Sequence, residues 1–158
     1  MTILTYDPYT AKEKAEELGA KAVEFDALLK DSDVITIHVP LTEETHHMIG
    51  KNELGLMKRT AVIVNTSRGG IIDETALYDA LKEKRIARAA LDVTEKEPLD
   101  LNNPLCKLDN VIITPHIAGS TEESVYRMSV TAAENIVQYF KGAVPIFVIN
   151  KEVLRKIR

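Results

Sequence analysis

The chain has 158 residues, a length typical of one domain, with 45% apolar and 28% charged residues, which are ordinary values for a globular protein. Its 24 acidic side chains outnumber 20 basic ones and give a net charge of −4, which argues against non-specific binding to nucleic acid. No apolar run is long enough to cross a membrane, and the N-terminus has no signal-peptide pattern. With Cys106 alone and no Cys/His ligand cluster, we expect a cytoplasmic protein without a disulfide or a metal site.

Short β-rich runs alternate with helical patterns along the chain, which is typical of a parallel α/β sheet. The predicted strands are 3–6, 34–39, 61–65, 89–93 and 111–114. The predicted helices are 11–18, 27–30, 52–57, a segment that begins after Asp73, and 121–141. The continuous apolar strands 34–39 and 61–64 require cover on both faces, so the sequence predicts a three-layer α/β sandwich.

Capping patterns predict where the helices begin. Thr10 with Glu13, and Ser120 with Glu123, have the spacing of a capping box, and Asp73 is a good N-cap. The last helix carries apolar residues at helical spacing that predict a buried stripe: Val125, Met128, Ala132, Ile136 and Tyr139. The segment 143–158 is predicted to be a tail, in which 146–150 could form a docking strand.

Polar side chains follow every predicted strand. They are Asp7, His38, the run Ser67-Arg68-Gly69-Gly70, Asp92 with Glu97, and His116. In an open parallel sheet, ligands bind beyond the carboxyl ends of the strands, so these residues are candidates for a shared site. The alternative is that polar residues follow strands simply because strands end in loops. His46 and His47 have no ligand partners at useful spacing and are interpreted as loop residues.

Five ordered motifs resemble one known family. They are Tyr6-Asp7-Pro8, DVITIHVPL at 33–41, LMKRTAVIVNTSRGGIID at 56–73, ALDVTEKEPL at 90–99 and NVIITPHIAGST at 110–121. Together they resemble the nucleotide-binding domain of the NAD-dependent D-isomer-specific 2-hydroxyacid dehydrogenases, in particular the D-3-phosphoglycerate dehydrogenase and hydroxypyruvate/glyoxylate reductase branch. The resemblance implies a Rossmann-type domain, NAD as cofactor and a small 2-keto or 2-hydroxy acid as substrate.

The resemblance also implies three catalytic roles. His116 matches the family's acid/base residue, and imidazole suits that role because it titrates near neutral pH. Glu97 matches the carboxylate that orients this histidine and favours its protonated form. Arg68 matches the arginine that holds the substrate carboxylate through its planar guanidinium fork.

Further residues match cofactor contacts of the family. Asp7 matches the carboxylate that accepts the ribose hydroxyls, which favours NAD over NADP because a carboxylate repels a 2′-phosphate. Asp92 resembles the contact to the nicotinamide carboxamide. The remaining residues that the resemblance places near NAD, besides Arg68 and His116, are Val39, Pro40, Thr66, Ser67, Ala118 and Gly119.

The sequence departs from the family at its front, because none of its seven glycines forms the G-x-G-x-x-G turn that binds the pyrophosphate. Residues 1–142 are therefore predicted to be a partial NAD-binding domain that lacks its first strand and glycine turn. Two functions stay open: a dehydrogenase piece that carries the acid–base residues, and a non-catalytic nucleotide-binding or structural module derived from that family.

The missing first strand bears on strand order. A truncated Rossmann sheet that closes its gap would have the flavodoxin-like order 2-1-3-4-5, in which the strand 3–6 pairs with the strand 61–64. The competing solution is a homodimer or strand swap, in which another chain fills the gap and shields two apolar edges.

Overall fold

The structure, a computed structural model, describes residues 1–156, so the last two residues of the predicted tail lie outside it. The chain forms two compact units, Met1–Ile117 and the part that begins at Ala118. The functional division into 1–142 and 143–158 stays a prediction, because compactness alone does not decide which residues bind a nucleotide.

The first unit alternates strands with helices, as the sequence predicts. Its elements are β1 (Leu4–Thr5), α1 (Lys12–Glu17), β2 (Lys21–Ala22), α2 (Phe25–Asp31), β3 (Val34–Ile37), α3 (Lys51–Leu56), β4 (Val62–Asn65), α4 (Glu74–Lys82), β5 (Arg88–Leu91), a 3₁₀ helix (Pro104–Lys107) and β6 (Val111–Ile113). The second unit contains α5 (Glu122–Phe140) and a 3₁₀ helix (Lys151–Lys156).

All strand pairs are parallel, which confirms the predicted fold class. The strands β3, β4, β5 and β6 form one sheet in that order, with Val34 opposite Val62 at the start of the β3–β4 ladder. The strands β1 and β2 form a second, two-stranded sheet. Parallel strands joined by helical crossovers place their carboxyl ends on one edge, which positions the loops that carry the candidate residues.

The predicted pairing of the strand 3–6 with the strand 61–64 was wrong. β4 pairs with β3 and β5, and β1 pairs with β2 instead. Sequence analysis missed β2 because Lys21–Ala22 is a two-residue strand after Gly19, with no apolar run to mark it. The flavodoxin-like order is therefore not the order of the described strands.

The hydrophobic core lies on one face of the four-stranded sheet. Ile35, Ile37 and Ile63 from the sheet pack with Leu54 and Leu77 from the helices, all of them buried. Burial of a side chain of this size contributes about 1.5–3 kcal/mol. On the opposite face Val34 is 62% exposed and Ile112 is 68% exposed, so the cover expected on both faces is observed on one.

The helix α5 differs from its prediction in its start and in its burial. Its N-cap is Thr121, whose side chain accepts from the backbone N–H of Ser124, and not Ser120. The predicted buried stripe is exposed, with Met128 61% and Ile136 59% accessible. The pattern is amphipathic, but no residue of α5 is buried. The segment 146–150 forms no strand.

Candidate active site

The loop that carries His116 is fixed by Asp92, which directly follows β5. The carboxylate Oδ1 of Asp92 accepts hydrogen bonds from the Thr114 hydroxyl and, at 2.9 Å, from the backbone N–H of Ile117. The carbonyl of Asp92 also accepts from the backbone N–H of His116 at 2.9 Å. His116 has φ +56°, a left-handed conformation that non-glycine residues rarely adopt. Asp92, 4% exposed, thus holds the histidine loop in an unusual shape.

His116 and Glu97 form the predicted pair. Nδ1 of His116 lies 2.8 Å from Oε2 of Glu97, and the two side chains are 48% and 39% exposed. Oε1 of Glu97 accepts from the backbone N–H of Thr94 at 3.2 Å, which sets the carboxylate's orientation. No residue that the structure describes bonds to the other ring nitrogen of His116, Nε2, which leaves it available for proton transfer.

The environment of Glu97 favours its ionised form. The hydrogen bond from His116 lowers the pKa of the Glu97 carboxyl most, and the Thr94 N–H and the charges of His116 and Arg68 lower it further. Partial burial acts in the opposite direction but is outweighed. At neutral pH the carboxylate therefore stands as a hydrogen-bond acceptor beside the imidazole.

The loop after β4 carries Arg68 to the carboxyl edge of the sheet, near Glu97. Asn65, 2% exposed, donates from Nδ2 to the carbonyl of Arg68 at 2.9 Å, and its Oδ1 accepts from the N–H of Ser67 at 3.0 Å. The Ser67 hydroxyl donates to the carbonyl of Val39, which ties this loop to the end of β3. Sequence analysis did not identify Asn65, although a buried amide at a strand end is the signal that could have found it.

Gly69 brings the arginine loop against the glutamate loop. A Cβ at Gly69 would lie 1.8 Å from the carbonyl oxygen of Thr94, so only glycine allows this approach. Arg68 directly precedes Gly69, the Glu97 carboxylate accepts from the Thr94 N–H, and the guanidinium charge of Arg68 lowers the pKa of the Glu97 carboxyl. The predicted trio Arg68, Glu97 and His116 is thus brought together at the carboxyl ends of β4, β5 and β6.

Asp7 lies at the carboxyl end of β1 and is exposed. Its Oδ2 accepts from the Thr10 hydroxyl at 2.6 Å and its Oδ1 accepts from the N–H of Tyr9 at 2.9 Å. These two hydrogen bonds lower the pKa of the Asp7 carboxyl, the Thr10 bond most. The predicted capping role of Thr10 was wrong, because its hydroxyl bonds to Asp7 and the N-cap of α1 is Ala11, without a side-chain bond.

The other predicted cofactor residues are described within their own compact units. Thr66 and Pro40 are exposed loop residues, while Ser67 and Val39 are half-buried. Ala118 and Gly119, both exposed, begin the second compact unit. The structure gives the positions of these residues, and their contacts with a cofactor stay predictions.

A second histidine–carboxylate contact was missed by sequence analysis. Nε2 of His47 lies 3.0 Å from Oε1 of Glu95, although His46 and His47 were interpreted as loop residues without partners. Glu95 is bound further by Glu74: the Glu95 N–H donates to Oε1 of Glu74 at 2.6 Å, and the Glu74 N–H donates back to Oε1 of Glu95 at 3.1 Å. His47 and Glu95 are 48 positions apart in the sequence, so no local pattern reveals the contact.

Two negative findings apply to the described part of the chain. No group of three or more His, Cys, Asp or Glu side chains there could hold a metal ion. None of its helices combines the length and the apolar character that crossing a membrane requires.

Comparison with protein families and curated proteins places these residues in a known context. Residues 1–118 match the family model described as D-isomer specific 2-hydroxyacid dehydrogenase, NAD binding domain. The chain is 54% identical over 142 residues to the D-3-phosphoglycerate dehydrogenase of Archaeoglobus fulgidus, covering 90% of the chain and 27% of that protein. It is 48% identical over 155 residues to the glyoxylate reductase of Korarchaeum cryptofilum, covering 98% of the chain and 47% of that protein.

A solved structure shows the same likeness in three dimensions. The chain superposes with a TM-score of 0.85 on the crystal structure of D-lactate dehydrogenase with NAD⁺ from Lactobacillus jensenii, at 32% identity. The match covers 94% of this chain and 48% of that chain. The chain thus spans about half the length of such relatives, or less.

Proposed function

We propose that this chain, which belongs to the NAD-binding domain family of the D-isomer-specific 2-hydroxyacid dehydrogenases, supplies the proton-transfer pair and part of the NAD site of such an enzyme. The resemblance predicted from the five motifs is confirmed by the family match. The observation that carries the proposal is the 2.8 Å contact between His116 and Glu97 at the carboxyl edge of the parallel strands.

In this proposal His116 donates a proton from Nε2 to the carbonyl oxygen of a 2-keto acid and takes it back in the reverse reaction. Glu97 holds Nδ1, which fixes the ring's orientation and stabilises the positive charge of its protonated form. Arg68 stands beside this pair and binds the substrate carboxylate through its guanidinium fork. NAD, when bound, supplies or accepts the hydride.

Asp7 fits an NAD-type cofactor. Its carboxylate lies exposed at the end of β1, and its lowered pKa keeps it ionised at neutral pH. An ionised carboxylate at this position accepts hydrogen bonds from free ribose hydroxyls and repels a 2′-phosphate, so NAD is preferred over NADP. The other residues that would hold the cofactor are Val39, Pro40, Thr66, Ser67, Asp92, Ala118 and Gly119.

A chimeric enzyme tests this function. The matched 155 residues of this chain would replace their counterpart in the Korarchaeum glyoxylate reductase. NADH oxidation would then be measured with glyoxylate, hydroxypyruvate and 3-phosphohydroxypyruvate. We expect turnover with at least one of these acids, and His116→Asn should lower kcat by about 10²- to 10⁴-fold. The matched control His46→Gln changes another exposed histidine and should leave kcat unchanged.

The result against the proposal is a folded chimera that binds NADH in calorimetry and whose His116→Asn variant turns over at the parent rate. NADH binding without turnover in the parent chimera would instead favour the alternative function, a non-catalytic nucleotide-binding module. The observation behind this alternative is that residues 1–158 contain no G-x-G-x-x-G turn.

A further inference from the structure

The loop that carries Glu97 is held together by its own hydrogen bonds. The Thr94 N–H donates to Oε1 of Glu97 at 3.2 Å, and the Thr94 hydroxyl donates to the carbonyl of Lys96 at 3.0 Å. Thr94 itself is buried. Residues 94–97 thus form one hydrogen-bonded turn, so a displacement of Glu95 is passed on to the Glu97 carboxylate.

A reciprocal pair of hydrogen bonds ties this loop to the start of α4. The Glu95 N–H donates to Oε1 of Glu74 at 2.6 Å, and the Glu74 N–H donates to Oε1 of Glu95 at 3.1 Å. The other carboxylate oxygen of Glu74 accepts from Nδ2 of Asn103 at 3.0 Å. Glu95 is therefore a point at which the loop is anchored, two positions before Glu97.

His47 binds the same carboxylate oxygen of Glu95. Nε2 of His47 lies 3.0 Å from Oε1 of Glu95, and Nε2 is the donor because an ionised carboxylate only accepts. The backbone of His47 makes a second contact, since its N–H donates to the carbonyl of Gly70 at 2.7 Å. His47 thus connects the loop that carries Arg68 with the loop that carries Glu97.

The backbone around His47 is fixed independently of its ring. His47 has φ +53°, in the left-handed region that non-glycine residues adopt uncommonly. The Ile49 N–H donates to the carbonyl of Ile71 at 3.1 Å, and the Asp73 N–H donates to the carbonyl of Ile49 at 3.0 Å. Such surrounding bonds are what keeps a residue in an unfavourable conformation. The ring is therefore attached to a held backbone and can act as a fixed support for Glu95.

The exposure of this pair indicates an effect on geometry and little effect on stability. The side chains of His47 and Glu95 are 37% and 38% exposed, and exposed ion pairs contribute little to the free energy of unfolding. The contact between His116 and Glu97, at 2.8 Å, is sensitive to position. A displacement of about 1 Å would separate these two groups beyond hydrogen-bond distance.

We propose that His47 is a positioning residue for the proton-transfer pair. By holding Glu95, it fixes the loop 94–97. The Glu97 carboxylate then stays within hydrogen-bond distance of His116. This inference deepens the proposed function and rests on it, because the position of Glu97 affects turnover only if the pair transfers the proton. His47 acts through Glu95 and is not itself a catalytic residue.

Two substitutions of His47 separate its hydrogen bond from its backbone and its charge. The side-chain nitrogen of glutamine lies about where Nε2 of the ring lies, so His47→Gln keeps a donor for Glu95. The side chain in His47→Asn is too short to reach Glu95, although asparagine is well tolerated in a left-handed backbone. Both variants lose the charge that a protonated ring carries. A defect confined to His47→Asn therefore comes from the lost hydrogen bond.

The titration of Glu97 in the chain 1–158 measures the effect without turnover. The charged groups that face its carboxylate are His116 and Arg68, and the hydrogen bond from His116 lowers the pKa of Glu97 most. Carbon-detected NMR of the side-chain carboxyl should show a higher pKa for Glu97 in His47→Asn, by at least about half of the rise that His116→Asn produces. In His47→Gln the pKa of Glu97 should equal that of the parent chain.

The chimeric enzyme gives a second measurement. His47→Asn should lower kcat at least about tenfold and change the KM for NADH by less than about twofold, because it misplaces the proton-transfer pair and not the cofactor. His47→Gln should retain the parent kcat. A parent chimera without turnover would contradict the proposed function alone, since the titration of Glu97 still decides whether His47 positions it.

Glu95→Ala tests the same contact from its other side and decides the question if His47→Asn does not fold. It removes the acceptor and also a negative charge, whose loss alone would lower the pKa of Glu97, so a rise in that pKa would come from displacement. The proposal is overturned if either folded variant leaves the pKa of Glu97 unchanged, or if His47→Gln raises it as much as His47→Asn. An active chimera whose His47→Asn variant keeps the parent kcat would overturn it as well.

Discussion

His116 and Glu97 meet across 19 residues of sequence because two other residues shape the loops that carry them. Asp92 holds the histidine loop through the Thr114 hydroxyl and the Ile117 N–H. Gly69 lets the arginine loop press against Thr94, whose N–H binds the Glu97 carboxylate. The contact between His116 and Glu97 therefore depends on backbone geometry as much as on the two side chains themselves.

The low pKa of Glu97 predicts a pH-dependent contribution to stability. Since the pKa of this carboxyl is lower in the folded chain than in the unfolded chain, the unfolded state binds the proton first as the pH falls. The stabilisation is fully present at pH values above the unfolded-state pKa of about 4.3. It is lost as the pH falls through the lower pKa of the folded state. Because Glu97 is 39% exposed, solvent screening keeps the effect below about 1 kcal/mol.

The free energy of unfolding should therefore decrease less between pH 6 and pH 3 in Glu97→Gln than in the parent chain. Urea denaturation at the two pH values measures this difference. Glu43→Gln, an exposed loop substitution, serves as the control. A Glu97→Gln variant whose loss equals that of the parent chain would show that the pair does not stabilise the fold.

Gly69 gives a second prediction at this scale. Gly69→Ala forces the added methyl group against the backbone of Thr94 and Glu95, so the free energy of unfolding should fall by about 1–3 kcal/mol. Gly55→Ala is the matched control, because that glycine lies in α3 and nothing stands within 4 Å of an added Cβ. Alanine there should raise the free energy of unfolding by up to about 1 kcal/mol. Equal effects of the two substitutions in thermal denaturation would contradict the close contact at Gly69.

Helices and strands with long apolar patterns could be predicted from the sequence. Elements that exist only because they pair with a distant segment could not. The strands β3 to β6 read directly from apolar runs, and Asp73 caps α4 as predicted, accepting from the N–H groups of Thr75 and Ala76. The strand β2 could not be predicted, since two residues carry no periodicity and its partner lies 17 positions earlier.

The stripe on α5 illustrates a different limit. An amphipathic pattern shows that a helix has an apolar face, but it does not show that the chain itself covers that face. Val125, Met128 and Ile136 follow the helical period and are still accessible. The contact between His47 and Glu95 escaped prediction for a related reason, because side chains far apart in sequence meet only once the fold is known.

The two predicted caps, one correct and one wrong, can be compared by mutation. Asp73→Ala removes the acceptor for two N–H groups of α4 and should lower the free energy of unfolding by about 1 kcal/mol. Thr10→Ala removes no cap from α1 and should change it by less than about 0.5 kcal/mol. Chemical denaturation of both variants beside the parent measures the difference. A Thr10→Ala loss as large as that of Asp73→Ala would contradict this prediction.

For the whole molecule, the carboxyl edge of the sheet brings together the groups that we propose for proton transfer and carboxylate binding, while residues 1–158 contain no glycine turn of the kind that binds a pyrophosphate. A cofactor such as NAD carries its charge on the pyrophosphate. The residues proposed to act on a substrate are thus present in this chain, whereas the turn that would hold the cofactor's charged centre is not among them.

This imbalance predicts that residues 1–158 alone bind NADH weakly. A helix N-terminus stabilises an anion by up to ~2 kcal/mol, and each hydrogen bond to a charged group contributes roughly 1.5–3 kcal/mol. Without the glycine turn several such contacts are missing, and a loss on the order of 3–5 kcal/mol weakens binding by roughly 10²- to 10⁴-fold. Isothermal titration calorimetry, beside the intact Korarchaeum relative, measures this ratio.

We expect no useful turnover of 2-keto acids by the same chain. Catalysis depends on holding the reacting groups in position and on excluding water. The side chains of His116 and Glu97 are exposed to solvent in this chain, so water is not excluded from them. The measurement is NADH oxidation with glyoxylate, hydroxypyruvate and 3-phosphohydroxypyruvate, with His116→Ala as the control. Turnover by 1–158 that disappears in His116→Ala would contradict the prediction and show that these strands suffice for catalysis.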